Sequence, residues 1–164
     1  MKSTTRTIRW ARPLAPSIAF LISLALPGAS LAATFSALSS NVAGLPLGHA
    51  GSSPEVNTVQ ISPRLNAFDL VAVQEDFGFH AELTSAITHP HRSVKDTRDV
   101  PEVIELAEGI GLPAPGLGDG LNTFSTSPFG GFTRITWNDC FGLFDSGSDC
   151  LAPKGFSFAR HEIA

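Results

Sequence analysis

The chain has 164 residues, 43% of them apolar, with 15 acidic and 11 basic side chains and a net charge of −4. That apolar fraction supports a globular core and excludes a disordered polymer. The acidic balance excludes a sequence-independent nucleic-acid coat, whose hold on phosphate backbones needs clustered Lys and Arg. It leaves open a phosphate-handling protein that takes its positive charge from a bound cation.

The first segment reads as an address label outside the fold. Lys2, Arg6, Arg9 and Arg12 precede a mostly apolar run from Leu14 to Leu26, and Ser30-Leu31-Ala32 forms a small-x-small cleavage signal. The run is interrupted by Pro16, Ser17 and Ser23 and falls short of the roughly 20 residues a membrane span needs. The expectation is a signal peptide over residues 1–32, cleaved near Ala32, and a secreted or periplasmic protein. Residues 33–164 keep seven basic and all fifteen acidic side chains, for a net charge of −8. Cys140 and Cys150, the two cysteines of the chain, then stand in an oxidising compartment and read as a disulfide staple.

In chain order, Thr34 to Val42 alternates apolar and small polar residues, as a strand with one buried face does. Residues 46–60, rich in Gly, Ser, Pro and Asn, read as a loop. Ser62 followed by Pro63 predicts a short helix from Pro63 to Phe68 with Ser62 as its N-cap. Asp69 to Glu75 is an almost uninterrupted apolar run and predicts a strand buried on both faces. A helix is expected over Gly78–Ile87, where Phe79, Leu83 and Ile87 fall on one face.

The stretch from Arg92 to Gly120 reads as an excursion containing a weak helix at Pro101–Glu108 and a Gly- and Pro-rich loop over 109–120. Strand patterns return at Leu121–Ser125, Phe132–Trp137 and Gly155–Glu162. Helices alternating with buried strands predict the α/β class.

Two strand ends carry candidate chemistry. Asn41 closes the first strand and Glu75 the second, and if these strands are neighbours both side chains lie at one carboxyl edge, where open α/β sheets bind ligands. A carboxylate there suits a hard cation such as Mg²⁺, and a carboxamide suits a phosphate oxygen or an attacking water. On pattern alone Glu75 reads equally as a solvated residue at a strand terminus. His80, five residues on, sits at the mouth of the same strand. Asp119 and Asn122 either line the cleft or serve a loop turn. His89 and His91, with His80, Glu82 and Glu75, match no compact zinc spacing. Ser148 lacks a nucleophile elbow, and Gly116-x-Gly118-x-Gly120 lacks the strand and helix of a phosphate cradle. Trp137, Phe141 and Phe144, around the cysteines, read as packing under a loop or as a lipid-facing patch.

Four ordered stretches resemble one family. They are Asn41-Val42-Ala43-Gly44-Leu45-Pro46, Asp69 to Glu75 with its Gln74-Glu75 pair, Gly118-Asp119-Gly120-Leu121-Asn122-Thr123-Phe124-Ser125, and Lys154-Gly155-Phe156. Together they resemble the endonuclease/exonuclease/phosphatase superfamily, especially its secreted sphingomyelinase-like and DNase I-like members. The resemblance implies a four-layered α/β sandwich, two packed mixed β-sheets with helices outside. It implies Glu75 as the ligand of a catalytic Mg²⁺ or another divalent cation, Asn41 in the active site, and structural roles for Lys154 and Gly155. The implied reaction is phosphoester hydrolysis on phospholipid or nucleic acid, and the acidic surface leans toward phospholipid. Family members are about twice as long and carry a catalytic His, an Asp/Asn pair and an Asp-His pair in their later half. None of these has a counterpart before Ala164, so residues 33–164 are expected to be an amino-terminal half, inactive alone. The alternative is a non-catalytic secreted binding or structural module.

Overall fold

The computed structural model describes residues 34–46, 53–143 and 147–163. The signal peptide expected over residues 1–32 lies outside the described residues, as does Phe144. A four-stranded mixed sheet carries the fold, built from β1 (Ala37–Asn41), β2 (Leu70–Gln74), β3 (His91–Arg92) and β4 (Asn122–Ser125) in the order β1-β2-β4-β3. β1 and β2 run parallel, with Asn41 beside Gln74, and β4 runs antiparallel to β2, with Asn122 opposite Val73. The ends of β1 and β2 and the start of β4 therefore meet at one edge. A separate two-stranded antiparallel sheet pairs β5 (Phe129–Thr136) with β6 (Gly155–His161). The α/β class holds, with two sheets and helices.

Val71 and Val73 of β2 and Phe124 of β4 are at most 1% exposed, and they pack with Val42, Leu65, Leu83 and Ile87. Leu65 comes from helix α1 (Pro54–Leu65), and Leu83 from helix α2 (His80–Thr84). β2 differs from the expectation of burial on both faces: Leu70, Ala72 and Gln74 on its other face are half-exposed. An apolar run signals two buried faces only when both are covered, and here the helix-side core takes the valines alone.

The helix expected from Pro63 starts much earlier, at Pro54, and displaces the part of the expected 46–60 loop from residue 54 on, whereas residues 47–52 lie outside the described residues. Pro54 opens the helix where its missing N–H costs nothing, and Glu55 and Arg64 lie at the ends that favour their charges. The buried face is unusually polar, which hid it from a hydrophobic pattern. The Thr58 hydroxyl donates to the Pro54 carbonyl at 2.6 Å, and Ser62 Oγ accepts the Ala86 N–H at 2.9 Å. Ser62, expected as an N-cap, is thus a buried tie from α1 to the turn after α2.

Helix α2 is also shorter than expected. The Thr84 and Ser85 hydroxyls donate back to the His80 and Glu82 carbonyls, offering the backbone an end in place of another turn. Helix α3 (Pro101–Gly109) appears where the sequence suggests it. Cys140 and Cys150 form the disulfide. Among the described residues no helix is long and apolar enough to cross a membrane.

Candidate active-site edge

Past Gln74 the chain turns sharply. Glu75 adopts φ +58°, left-handed backbone that a non-glycine residue occupies at a cost of about 1–2 kcal/mol. At the parallel end of β1, Ala43 does the same with φ +49°. Two such residues at one sheet edge mark a corner held by its surroundings, and strain of this kind concentrates at functional sites.

The holding groups are visible. Gly44 N–H donates to the Glu75 carbonyl at 2.9 Å, Asp76 N–H to the Gly120 carbonyl at 3.0 Å, and Gly78 N–H to the Gly44 carbonyl at 2.9 Å. A Cβ on Gly44 would lie 2.6 Å from the Glu75 carbonyl oxygen. One on Gly120, itself at φ +67°, would lie 2.6 Å from the Phe77 ring and 3.1 Å from Glu75 Cα. Two glycines are therefore required for the Glu75 corner to close.

Asn41 Oδ1 accepts the Ala43 N–H at 2.8 Å and so supports the neighbouring bend. That uses one of the oxygen's two lone pairs, and the Nδ2 donor of the same carboxamide suits a phosphate oxygen. Asn41 also borders a hollow of about 290 Å³ whose wall from α1 includes Asn57, Gln60 and Arg64. Arg64, not singled out from the sequence, brings a positive charge to that hollow.

Beneath Glu75 runs a network of buried polar groups. Asp76, 1% exposed, accepts Asn122 Nδ2 at 2.8 Å and lies 2.6 Å from His80 Nδ1. Asn122 Oδ1 in turn accepts the Ser93 hydroxyl at 2.9 Å and Arg134 at 3.1 Å. Arg134 pairs with Asp119 at 3.0 Å, linking the second sheet to the first. Of the suggested cleft residues, Asn122 is 2% exposed and committed at both ends, and Asp119 is held by Arg134. His80 keeps a side chain 26% exposed, with its ring oriented by Asp76. Asp76, Ser93 and Arg134 were not recognised from the sequence; the signal for Asp76 was its place directly after Glu75.

The loop that delivers Gly120 is braced from behind. Asp99 accepts the Gly116 and Leu117 N–H groups, and Lys95 Nζ donates to the Gly116 carbonyl at 2.8 Å. Burial opposes ionisation of Asp96, but hydrogen bonds from Arg98 outweigh it and hold the carboxyl below its usual range.

No protein-family model matches the chain. Over 139 residues, 84% of its length, it is 34% identical to the sphingomyelinases of Mycobacterium bovis and of Mycobacterium tuberculosis strain CDC 1551 / Oshkosh. The chain is homologous to the mycobacterial sphingomyelinases. It spans about a quarter (26%) of the length of these relatives. The crystal structure of sphingomyelinase C from Streptomyces griseocarneus superposes with a TM-score of 0.54 at 17% identity, over 79% of this chain and 45% of that one. The superposition establishes a shared fold.

The donor chemistry fits a hard divalent cation. Mg²⁺ keeps several waters and takes only one or two carboxylates from a protein. Glu75 is in none of the salt bridges of the described residues. Asp76 is already engaged by His80 and Asn122, so Glu75 is the carboxylate at this edge suited to a cation. Among the described residues no three His, Cys, Asp or Glu side chains gather into a fuller cage.

Proposed function

We propose that this chain is the cation-bearing, amino-terminal part of a secreted, divalent-cation-dependent phosphodiesterase of the endonuclease/exonuclease/phosphatase superfamily, acting on phospholipid. The observation that carries the reading is the Glu75 corner, a carboxylate on left-handed backbone that Gly44 and Gly120 close around, beside Asn41 at the same edge. The homology to sphingomyelinases supports the phosphodiester and phospholipid parts of it. The disulfide and the basic-then-apolar start of the chain support export, with residues 1–32 as a signal peptide.

In this reading Glu75 holds the cation, which offsets charge on the phosphate oxygens when bound. Asn41 Nδ2 donates to a phosphate oxygen, and Arg64 draws the anionic group toward the hollow. Asp76 fixes the His80 ring against the same edge. A complete in-line displacement also needs a positioned base and leaving-group acid, which contribute about 10²–10⁴-fold each. Beyond His80 the reading assigns no residue of this chain to those roles, and it takes the chain alone to be inactive.

The deciding experiment measures Mn²⁺ binding by electron paramagnetic resonance and Mg²⁺-dependent hydrolysis of bis-p-nitrophenyl phosphate. Binding lost in Glu75→Gln, with no turnover in either protein, is the expected result. Equal binding in Glu75→Gln rejects the cation seat. Turnover that Glu75→Gln abolishes rejects inactivity and leaves the seat intact.

A further inference from the structure

Beside the Glu75 corner lies an apolar groove. It has a volume of about 250 Å³, and the eleven described residues that line it are all aliphatic or Pro. The lining includes Leu45 and Pro46, Val103, Leu106 and Ala107 of α3, and Leu117. Leu117 shares a buried apolar cluster with Phe77, two residues beyond Glu75, and Leu45 packs against that cluster. The groove wall at Leu45 is thus continuous with Gly44, which closes the Glu75 corner.

We propose that this groove binds one hydrocarbon chain of a phospholipid whose phosphate lies at the Glu75 edge. The inference rests on the phospholipid reading above and names the part of the lipid that the chain grips. The lining selects the occupant. A peptide segment brings backbone N–H and C=O groups that need partners when buried, and among the described residues this lining offers no polar side chain to supply them. A hydrocarbon chain brings none. Size agrees: a dry cavity of about 150 Å³ accepts a benzene ring, so this groove accommodates a longer stretch of methylenes. Leu106, on the rim, is 40% exposed, and Leu112 is 57% exposed, a cost that a bound chain would remove.

The test titrates the full chain with hexyl, octyl, decyl and dodecyl phosphocholine below their micelle concentrations, by calorimetry. Affinity should rise about fourfold per added methylene while the groove fills, then level off. Leu106→Lys, at the rim, and Ala107→Phe, which fills the groove from α3, should each cut dodecyl phosphocholine affinity at least about tenfold with the thermal midpoint retained. With Mg²⁺ present, Glu75→Gln should weaken every member of the series by the same factor and leave the gain per methylene intact, so failure of the groove and failure of the cation seat are separable. Affinity that climbs without levelling, or that ignores both variants, overturns the proposal. So does a dimer by light scattering that Leu106→Lys dissociates, which would assign the groove to a second copy.

Discussion

Asn122 Nδ2 donates to Asp76 Oδ2 at 2.8 Å, joining residues 46 positions apart at a point where each is at most 2% exposed. The pair fixes the start of β4 against the end of β2 and so sets the floor under Glu75. Replacing Asn122 by Ala leaves the Asp76 carboxylate and the Ser93 hydroxyl short of a buried partner. A loss of about 2–3 kcal/mol is expected, measured by urea unfolding. A loss below about 0.5 kcal/mol would mean that water satisfies the network.

The left-handed backbone at Glu75 separates stability from cation binding. Glu75→Ala keeps the strain, whereas Glu75→Gly removes it. The glycine variant should be the more stable of the two by about 1 kcal/mol, while both lose Mn²⁺ binding. Equal stabilities would show that the corner is not strained.

These two residues also mark what a sequence reveals. β2 and the Glu75 position are legible because an apolar run ending in a carboxylate survives as a local pattern. The meeting of Asn41 and Glu75 at one edge follows from parallel pairing. The buried network is not legible, because Asp76, Ser93, Asn122 and Arg134 come from four separate segments and each looks like an ordinary polar residue in its own. The first turns of helix α1 are illegible for a related reason: its buried face uses Thr58 and Ser62, whose hydroxyls are satisfied by contacts that hydrophobic spacing does not register.

Two groups give the stability a defined pH dependence. Burial lowers the His161 pKa below its ordinary 6.5. A depressed folded-state pKa contributes stability that is present above the unfolded value and lost as pH falls below it, so the thermal midpoint should begin to drop below pH 6.5. His161→Gln should flatten that part of the profile. The Ser36 backbone N–H and hydroxyl hold the Asp69 carboxyl below 3.8, and this contribution fades only as pH falls below that value. Ser36→Ala should move the Asp69 carboxyl resonance midpoint back up, read by carbon NMR.

The disulfide closes ten residues of sequence between Cys140 and Cys150. In the chain-entropy model a loop of this size is worth about 3 kcal/mol. The Cys140→Ala/Cys150→Ala chain should lose about that much in urea unfolding. Retained stability would place the effect of the crosslink in the unfolded state's residual structure.

Arg134 links the two sheets more firmly than a surface charge would. It is 14% exposed, pairs with Asp119 at 3.0 Å, and donates to the Val94 and Leu121 carbonyls at 2.8 Å each. Removing it leaves the Asp119 carboxylate, 6% exposed, without its cation. Arg134→Met should therefore cost about 3 kcal/mol. Arg134→Lys should recover only part of that, because an ammonium keeps the charge but cannot span the carboxylate and two carbonyls as a planar fork does. The Lys154–Asp149 pair supplies the contrast, at 3.9 Å and about one third exposed on each side. Lys154→Met should change stability by less than about 0.5 kcal/mol. If the two arginine variants were as mild as the lysine one, the sheets would be held by packing alone. Faster amide exchange at Leu121 and Asn122 in Arg134→Met would instead locate the loss at the start of β4, directly under the Glu75 edge.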